Sequence, residues 1–370
     1  MISVLFTIPN FITAGSGGAM LNIVERLDPR RFSPAVCVAT KGGNLDTRVT
    51  ELGIPFLEHN TTVPIRPYTT LLFRAWRAAQ PFRKYRSRVW HSFHYSADYS
   101  EPIIARFAGA KAWVFTKKNM GWRERAWRVR SALATRIAAQ NTDMLREFFS
   151  NRRLARKACL VPRGVVVSRF SPDMAPALRI RESLGIGPGA VVVSCVAQLL
   201  PIKGHPTLIE ALQNVPDAHL LLAGTPLDEH YVFGLKERIA QMGLSKRIHF
   251  LGAVKEVAAL LSETDIFVLP TWAKGEGCPV ALLEAMSCGK PCVATNVPGS
   301  RDLVEDGISG RLVPPEDAAT LARVLDDLVA EPDLRIRLGA GARNRVLERY
   351  TIDHEVEAHQ ALYTGLGFSD

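Results

Sequence analysis

With 370 residues, 47% of them apolar and 8% aromatic, the chain is too long for one hydrophobic core and too apolar to be disordered, so two domains are expected. No apolar run reaches the ~18 residues of a membrane span, and the apolar start 1–9 lacks the cationic opening of a signal peptide. The net charge of +10 is lopsided: residues 1–170 hold 28 Lys and Arg against 10 Asp and Glu, a balance of +18, and the remainder carries −8. A basic first half faces something anionic, whether membrane, acceptor or nucleic acid, or is simply a solvated surface.

Taken in chain order, short runs rich in Val, Ile and Leu alternate with helix-length segments. Strands are expected at 2–8, 35–40, 89–93, 112–116 and 158–161, then at 191–196, 219–223, 247–251, 266–269 and 292–294. Patterned stretches such as 208–215 and 236–242 supply helices between them. Such alternation predicts an α/β chain with parallel sheets covered on both faces. Pro172, Pro176, Gly185, Gly187, Pro188 and Gly189 cluster between the two sets of strands and mark a break. Two doubly wound, Rossmann-like domains are therefore expected, over 1–172 and 173–350. Ligands enter such sheets beyond the carboxyl ends of the strands, and two such ends facing each other would form a cleft.

The six cysteines are Cys37, Cys159, Cys195, Cys278, Cys288 and Cys292. Cys288 and Cys292 have neither a second pair nor a His at ligand spacing, which argues against a metal site and for reduced thiols in a cytoplasmic protein.

The segment richest in chemistry is 270–284, P-T-W-A-K-G-E-G-C-P-V-A-L-L-E, followed by A-M-S-C-G-K-P-C. A strand ends, a glycine-bearing loop follows, and Pro279 is expected as the first residue of a helix. Free amides at that helix start, from Cys278 to Ala281, would then form an anion site, which makes Gly277, Cys278, Pro279 and Val280 donor-binding candidates. Glu276 in the loop and Glu284 in the helix would both reach the same crevice, where carboxylates accept hydrogen bonds from vicinal hydroxyls. Spacing alone equally admits a surface carboxylate and an ordinary exposed helix Glu.

These residues closely resemble the signature of family-4 glycosyltransferases of the GT-B fold. Further segments carry the resemblance: 196–204, V-A-Q-L-L-P-I-K-G; 297–314, V-P-G-S-R-D-L-V-E-D-G-I-S-G-R-L-V-P; 160–170, L-V-P-R-G-V-V-V-S-R-F; and Gly17-Gly18-Ala19. The likeness is dense after residue 190 and thin before it. It implies a last helix, 351–370, that packs back on the first domain. It also implies a retaining transfer of a hexose-type sugar from a nucleoside-diphosphate sugar to a saccharide or lipid-linked acceptor.

In that family pattern Glu276 holds the donor sugar and Glu284 the ribose. Lys203 neutralises the diphosphate, with the amides of Gly17 and Gly18 approaching it from the first domain. Stabilising the departing diphosphate is the main catalytic demand, and these groups would meet it with no divalent metal and no other cofactor. Two departures stand out. Gln198 occupies a position commonly held by an Arg. The run Phe115-Thr116-Lys117-Lys118-Asn119-Met120-Gly121 lacks the usual His, so Lys118 and Asn119 are the acceptor-side candidates there. His94 is the alternative histidine, equally readable as structural.

Arginines interleave with tryptophans at 74–77 and 122–136, beside Arg83, Lys84, Arg86 and Arg88. This pattern suits an anionic membrane surface, giving a peripheral protein on the inner face of the membrane. Inward-packing Trp faces with solvated Arg are the plain alternative. A nucleotide-sugar epimerase would lack the Glu276–Glu284 context. A basic nucleic-acid-binding protein would leave Glu276, Glu284 and Lys203 without roles, so no nucleic acid is expected.

Overall fold

The computed structural model describes all residues except 13, 122–124, 174–178, 273–275 and 369–370. The chain divides into two compact units: Met1–Arg163 with Ile352–Asp370, and Gly164–Thr351. Residues 164–172 thus pack with the second unit, whereas the sequence reading placed them in the first. The reason is Phe170, which enters the core beside Leu282, Leu283 and Met286. Ser287 Oγ donates to the Phe170 carbonyl at 2.6 Å, and the Val165 amide donates to the Tyr350 carbonyl at 2.9 Å. Pro176 of the expected break lies outside the described residues.

In the first unit, β1 (Ile2–Ile8), β2 (Phe32–Val38), β3 (Phe56–Glu58), β4 (Val89–Ser92), β5 (Ala112–Lys117), β6 (Arg136–Ala139) and β7 (Ala158–Leu160) form one parallel sheet in the order β3-β2-β1-β4-β5-β6-β7. Its strands are buried apolar runs, as parallel sheets covered on both faces require. The closing helix Ile352–Thr364 belongs to this unit and packs on helix Ala14–Val24. Tyr363 Oη lies 2.6 Å from His91 Nδ1, and His91 Nε2 lies 2.9 Å from Thr116 Oγ1. Burial holds His91 well below the usual histidine range, so it is a neutral core residue.

The second unit contains β8 (Val191–Val196), β9 (Ala218–Ala223), β10 (Ile248–Gly252), β11 (Ile266–Leu269), β12 (Cys292–Thr295) and β13 (Arg311–Val313). They pair in parallel in the order β10-β9-β8-β11-β12-β13. All six cysteines are free thiols. Among the described residues no helix is long and apolar enough to cross a membrane.

Candidate functional site

In the second unit the strand order reverses at the neighbouring pair β8 and β11. The carboxyl ends on either side of such a reversal leave a crevice that admits a ligand. The loop leaving β8 tightens into one turn, Pro201–Lys203, that ends on Gly204 at φ 71°. A Cβ at Gly204 would fall 1.9 Å from the Pro270 carbonyl oxygen, so only glycine lets this loop lie on the segment leaving β11. The Trp272 amide donates to the Ile202 carbonyl at 2.9 Å and secures the same contact.

This approach brings two predicted residues together. Lys203 Nζ donates to Glu276 Oε1 at 2.5 Å, and Thr271 Oγ1 donates to the same oxygen at 2.9 Å. Thr271 is itself held through its carbonyl by Thr295 Oγ1 at 2.5 Å, from the end of β12. Glu276 is 8% exposed. A carboxylate with two donors and fixed supports is preorganised, because its orientation does not have to be found when a ligand arrives.

Helix Val280–Ser287 follows, with Pro279 in extended conformation at its cap. Pro279 therefore stands one position before the helical start expected for it. The amides without an intrahelical acceptor are those of the first turn, from Val280 onward. Gly277, Cys278 and Pro279 are buried. Their loop is fixed by Gly299, at φ 84°, where a Cβ would meet the Gly277 carbonyl oxygen at 2.5 Å. Glu284 sits one turn into the helix, and burial pushes its carboxyl up to about 7 against the pull of Arg169. Gln198 is exposed on the β8 loop, free of the ion pair that Lys203 makes.

The first unit reverses its strand order between β1 and β4, and the remaining predicted residues collect there. Gly17 and Gly18 follow β1, but inside the helix Ala14–Val24 and not in an open loop. Gly17 is required by packing: a Cβ would lie 2.6 Å from the Phe11 ring, whereas one at Gly18 would meet nothing within 4 Å. The amides free at that helix start lie on the N-terminal side of both glycines.

His94 follows β4 and is buried, with Nε2 2.9 Å from Thr61 Oγ1 and 3.9 Å from Glu101 Oε1. Burial lowers its pKa, so the ring is neutral and partnered. Lys118 follows β5. Its Nζ donates to the Phe93 carbonyl, lies 3.4 Å from Ser16 Oγ and sits 3.5 Å from the centre of the Tyr95 ring. Burial holds it well below the usual lysine range, so a bound anion would favour its charged form. Asn119 Oδ1 accepts from Lys117 Nζ at 2.9 Å, so Asn119 is joined to Lys117 and not to Lys118.

Sequence reasoning missed two features. Tyr95 Oη donates to Ser16 Oγ and ties the β4 end to the β1 helix. Beneath them lies a wholly buried pair, Arg130 Nη2 and Glu101 Oε2 at 3.1 Å, with Thr7, Trp90 and Ser92 also donating to Glu101. Arg130 and Trp127 are thus core residues and not parts of the expected basic surface. Trp122 and Arg123 of that surface lie outside the described residues. Among the described residues, no three His, Cys, Asp or Glu side chains gather as a metal site would need.

Comparisons with known proteins agree with this layout. Residues 177–345 match the family described as Glycosyl transferases group 1. A GDP-mannose-dependent alpha-(1-6)-phosphatidylinositol monomannoside mannosyltransferase of Mycolicibacterium smegmatis is 31% identical over 201 residues, 51% of this chain and 52% of its own. A UDP-Gal:alpha-D-GlcNAc-diphosphoundecaprenol alpha-1,3-galactosyltransferase of Escherichia coli is 31% identical over 219 residues, 56% of this chain and 54% of its own. The chain spans about half the length of the curated relatives it matches. Among solved structures, a glycosyltransferase of Rickettsia africae superimposes with a TM-score of 0.87 at 19% identity, covering 99% of this chain and 98% of that one. Anabaena HepE in complex with UDP and glucose gives 0.84 at 20% identity, covering 99% and 100%. The fold is the two-domain GT-B fold.

Proposed function

We propose that this chain, whose residues 177–345 match the family described as Glycosyl transferases group 1, moves a hexose-type sugar from a nucleoside-diphosphate sugar to a saccharide or lipid-linked acceptor. In this reading the anomeric configuration is retained and no divalent metal takes part. The observation that carries the proposal is the Lys203–Glu276 pair at the strand-order reversal of the second unit, one loop away from Glu284.

Each residue then has one task. Lys203 turns from Glu276 to the diphosphate and offsets the charge that grows on the departing oxygen. The amides that open helix Val280–Ser287 add partial positive charge to the same group. Glu276, released by Lys203 and still held by Thr271, accepts hydrogen bonds from the donor sugar hydroxyls. Glu284 accepts from the ribose, and those donors favour its ionised form over the protonated one that burial favours. The acceptor hydroxyl attacks from the face the phosphate leaves, and the departing phosphate oxygen takes its proton, so the chain supplies no general base.

His94, Lys118 and Asn119 belong to the acceptor side in this scheme, with Lys118 as the anion-seeking member. Binding of the donor is tested by thermal shift against nucleoside diphosphates and their sugars. One base should raise the melting temperature by several degrees, as mass action requires, and Lys203→Ala should shrink that rise. A panel with no shift for any nucleotide overturns the proposal.

A further inference from the structure

Between residues 59 and 97 the chain has seven Lys and Arg and no Asp or Glu. Within this stretch, helix Leu71–Ala79 buries Leu71, Ala75 and Ala79 and packs on helix Ser100–Phe107. Its other side is also apolar, and it is bare. Leu72 is 60% exposed, Phe73 63% and Trp76 43%, with Tyr68 at 62% in the turn that leads in. The Phe73 and Trp76 rings stack on each other, centroids 6.1 Å apart and 26° from parallel. Four large apolar side chains on one outward face exceed what a solvated helix needs, and a contiguous patch of this kind marks an interaction surface. Cations flank it along the chain, with Arg66 before the helix, Arg77 within it, and Arg83, Lys84 and Arg86 after it, all of them exposed.

Immediately after the helix, Arg83, Arg86, Arg88 and Lys111 line a cavity of about 500 Å³ beside Phe107. These four cations lie where β4 and β5 begin. His94 and Lys118 follow the ends of the same two strands, so the basic cavity sits at the opposite end of these strands from His94 and Lys118.

We infer that the surface formed by Tyr68, Leu72, Phe73 and Trp76 with its flanking cations is a membrane anchor that selects anionic lipid. The apolar face enters the boundary between headgroups and acyl chains, where aromatic rings are favoured, while the cations engage lipid phosphates. Charge decides the occupant. A second copy of this chain docking face to face would bring these exposed cations against their own copies, an arrangement that like-charge repulsion opposes. An anionic bilayer complements both features at once.

The inference predicts three results in vesicle co-sedimentation with the full chain. The wild type pellets with vesicles of phosphatidylcholine and phosphatidylglycerol, stays in solution with phosphatidylcholine alone, and is released as salt rises because screening shortens the reach of the charges. Replacing Leu72, Phe73 and Trp76 together by Ser lowers partitioning at least ~10-fold, and so does replacing Arg66, Arg77 and Lys84 by Glu. Phe233→Ser, at an exposed apolar side chain of the second unit, changes nothing. Circular dichroism melts verify that each variant keeps its fold. The inference is overturned if the wild type ignores anionic vesicles at low salt, or if the triple Ser variant partitions as the wild type does. It is also overturned if ultracentrifugation shows a dimer that the triple Ser variant abolishes while vesicle binding persists.

Discussion

Replacing Glu284 by Gln keeps the shape of the side chain and removes its charge. Burial lifts this carboxyl from the ordinary 4.5 to about 7, and each pKa unit is worth about 1.4 kcal/mol. The native chain therefore holds the proton more tightly than the unfolded chain does. Stability contributed by that proton is complete below about pH 4.5 and is lost as pH rises through about 7. By pH 8 the loss approaches ~3 kcal/mol, the upper end because solvent still reaches part of the side chain. Glutamine does not titrate, so Glu284→Gln escapes this loss. Urea unfolding at pH 5 and pH 8 should show the variant gaining ~2–3 kcal/mol on the wild type between the two. The same variant should bind nucleoside diphosphate more weakly, because an amide accepts hydroxyl donors less well than a carboxylate. A stability difference that is equal at both pH values, or one that moves against the variant as pH rises from 5 to 8, would refute the reasoning.

Two further outcomes are expected. Glu276→Ala should lower kcat by ~100-fold in a nucleoside-diphosphate release assay, with a smaller effect on donor affinity, because sugar contacts that orient the reacting carbon act most in the transition state; near-normal kcat would remove Glu276 from the site. Gly204→Ala should destabilise the chain by ~2 kcal/mol or more, since its backbone is left-handed and its Cβ would collide with Pro270, and an unchanged melting temperature would contradict the described loop packing.

The sheets were largely legible because buried parallel strands are continuous apolar runs, as 191–196 and 266–269 are. The strands that escaped notice are β3, β6 and β13. Phe56–Glu58 and Arg311–Val313 are three residues long and sit at sheet edges, too short to show a period. Arg136–Ala139, read R-I-A-A, has a single β-branched residue.

In the second unit the candidate residues stand out because a loop and a helix start place Glu276 and Glu284 a fixed distance apart along the chain. The partnership of Glu276 with Lys203, 73 residues earlier in sequence, depends on two strands becoming neighbours, which no local pattern displays. The first unit hid more. Its glycines, expected to offer amides to a diphosphate, lie inside a helix, where Gly17 answers to the Phe11 ring. The charges of Arg130 and Glu101 suggest a surface, yet each is buried because the other is there. Trp127 packs inward with them, which leaves Trp76 as the exposed aromatic of the two.

The proposed donor site neutralises a leaving diphosphate with Lys203 and the helix amides and with no metal ion. Turnover of a matched nucleotide sugar and acceptor in excess EDTA tests that claim most directly. The account predicts an unchanged rate and a product whose anomeric configuration equals that of the donor. Activity that vanishes with EDTA and returns with magnesium or manganese, or a product of inverted configuration, would contradict it.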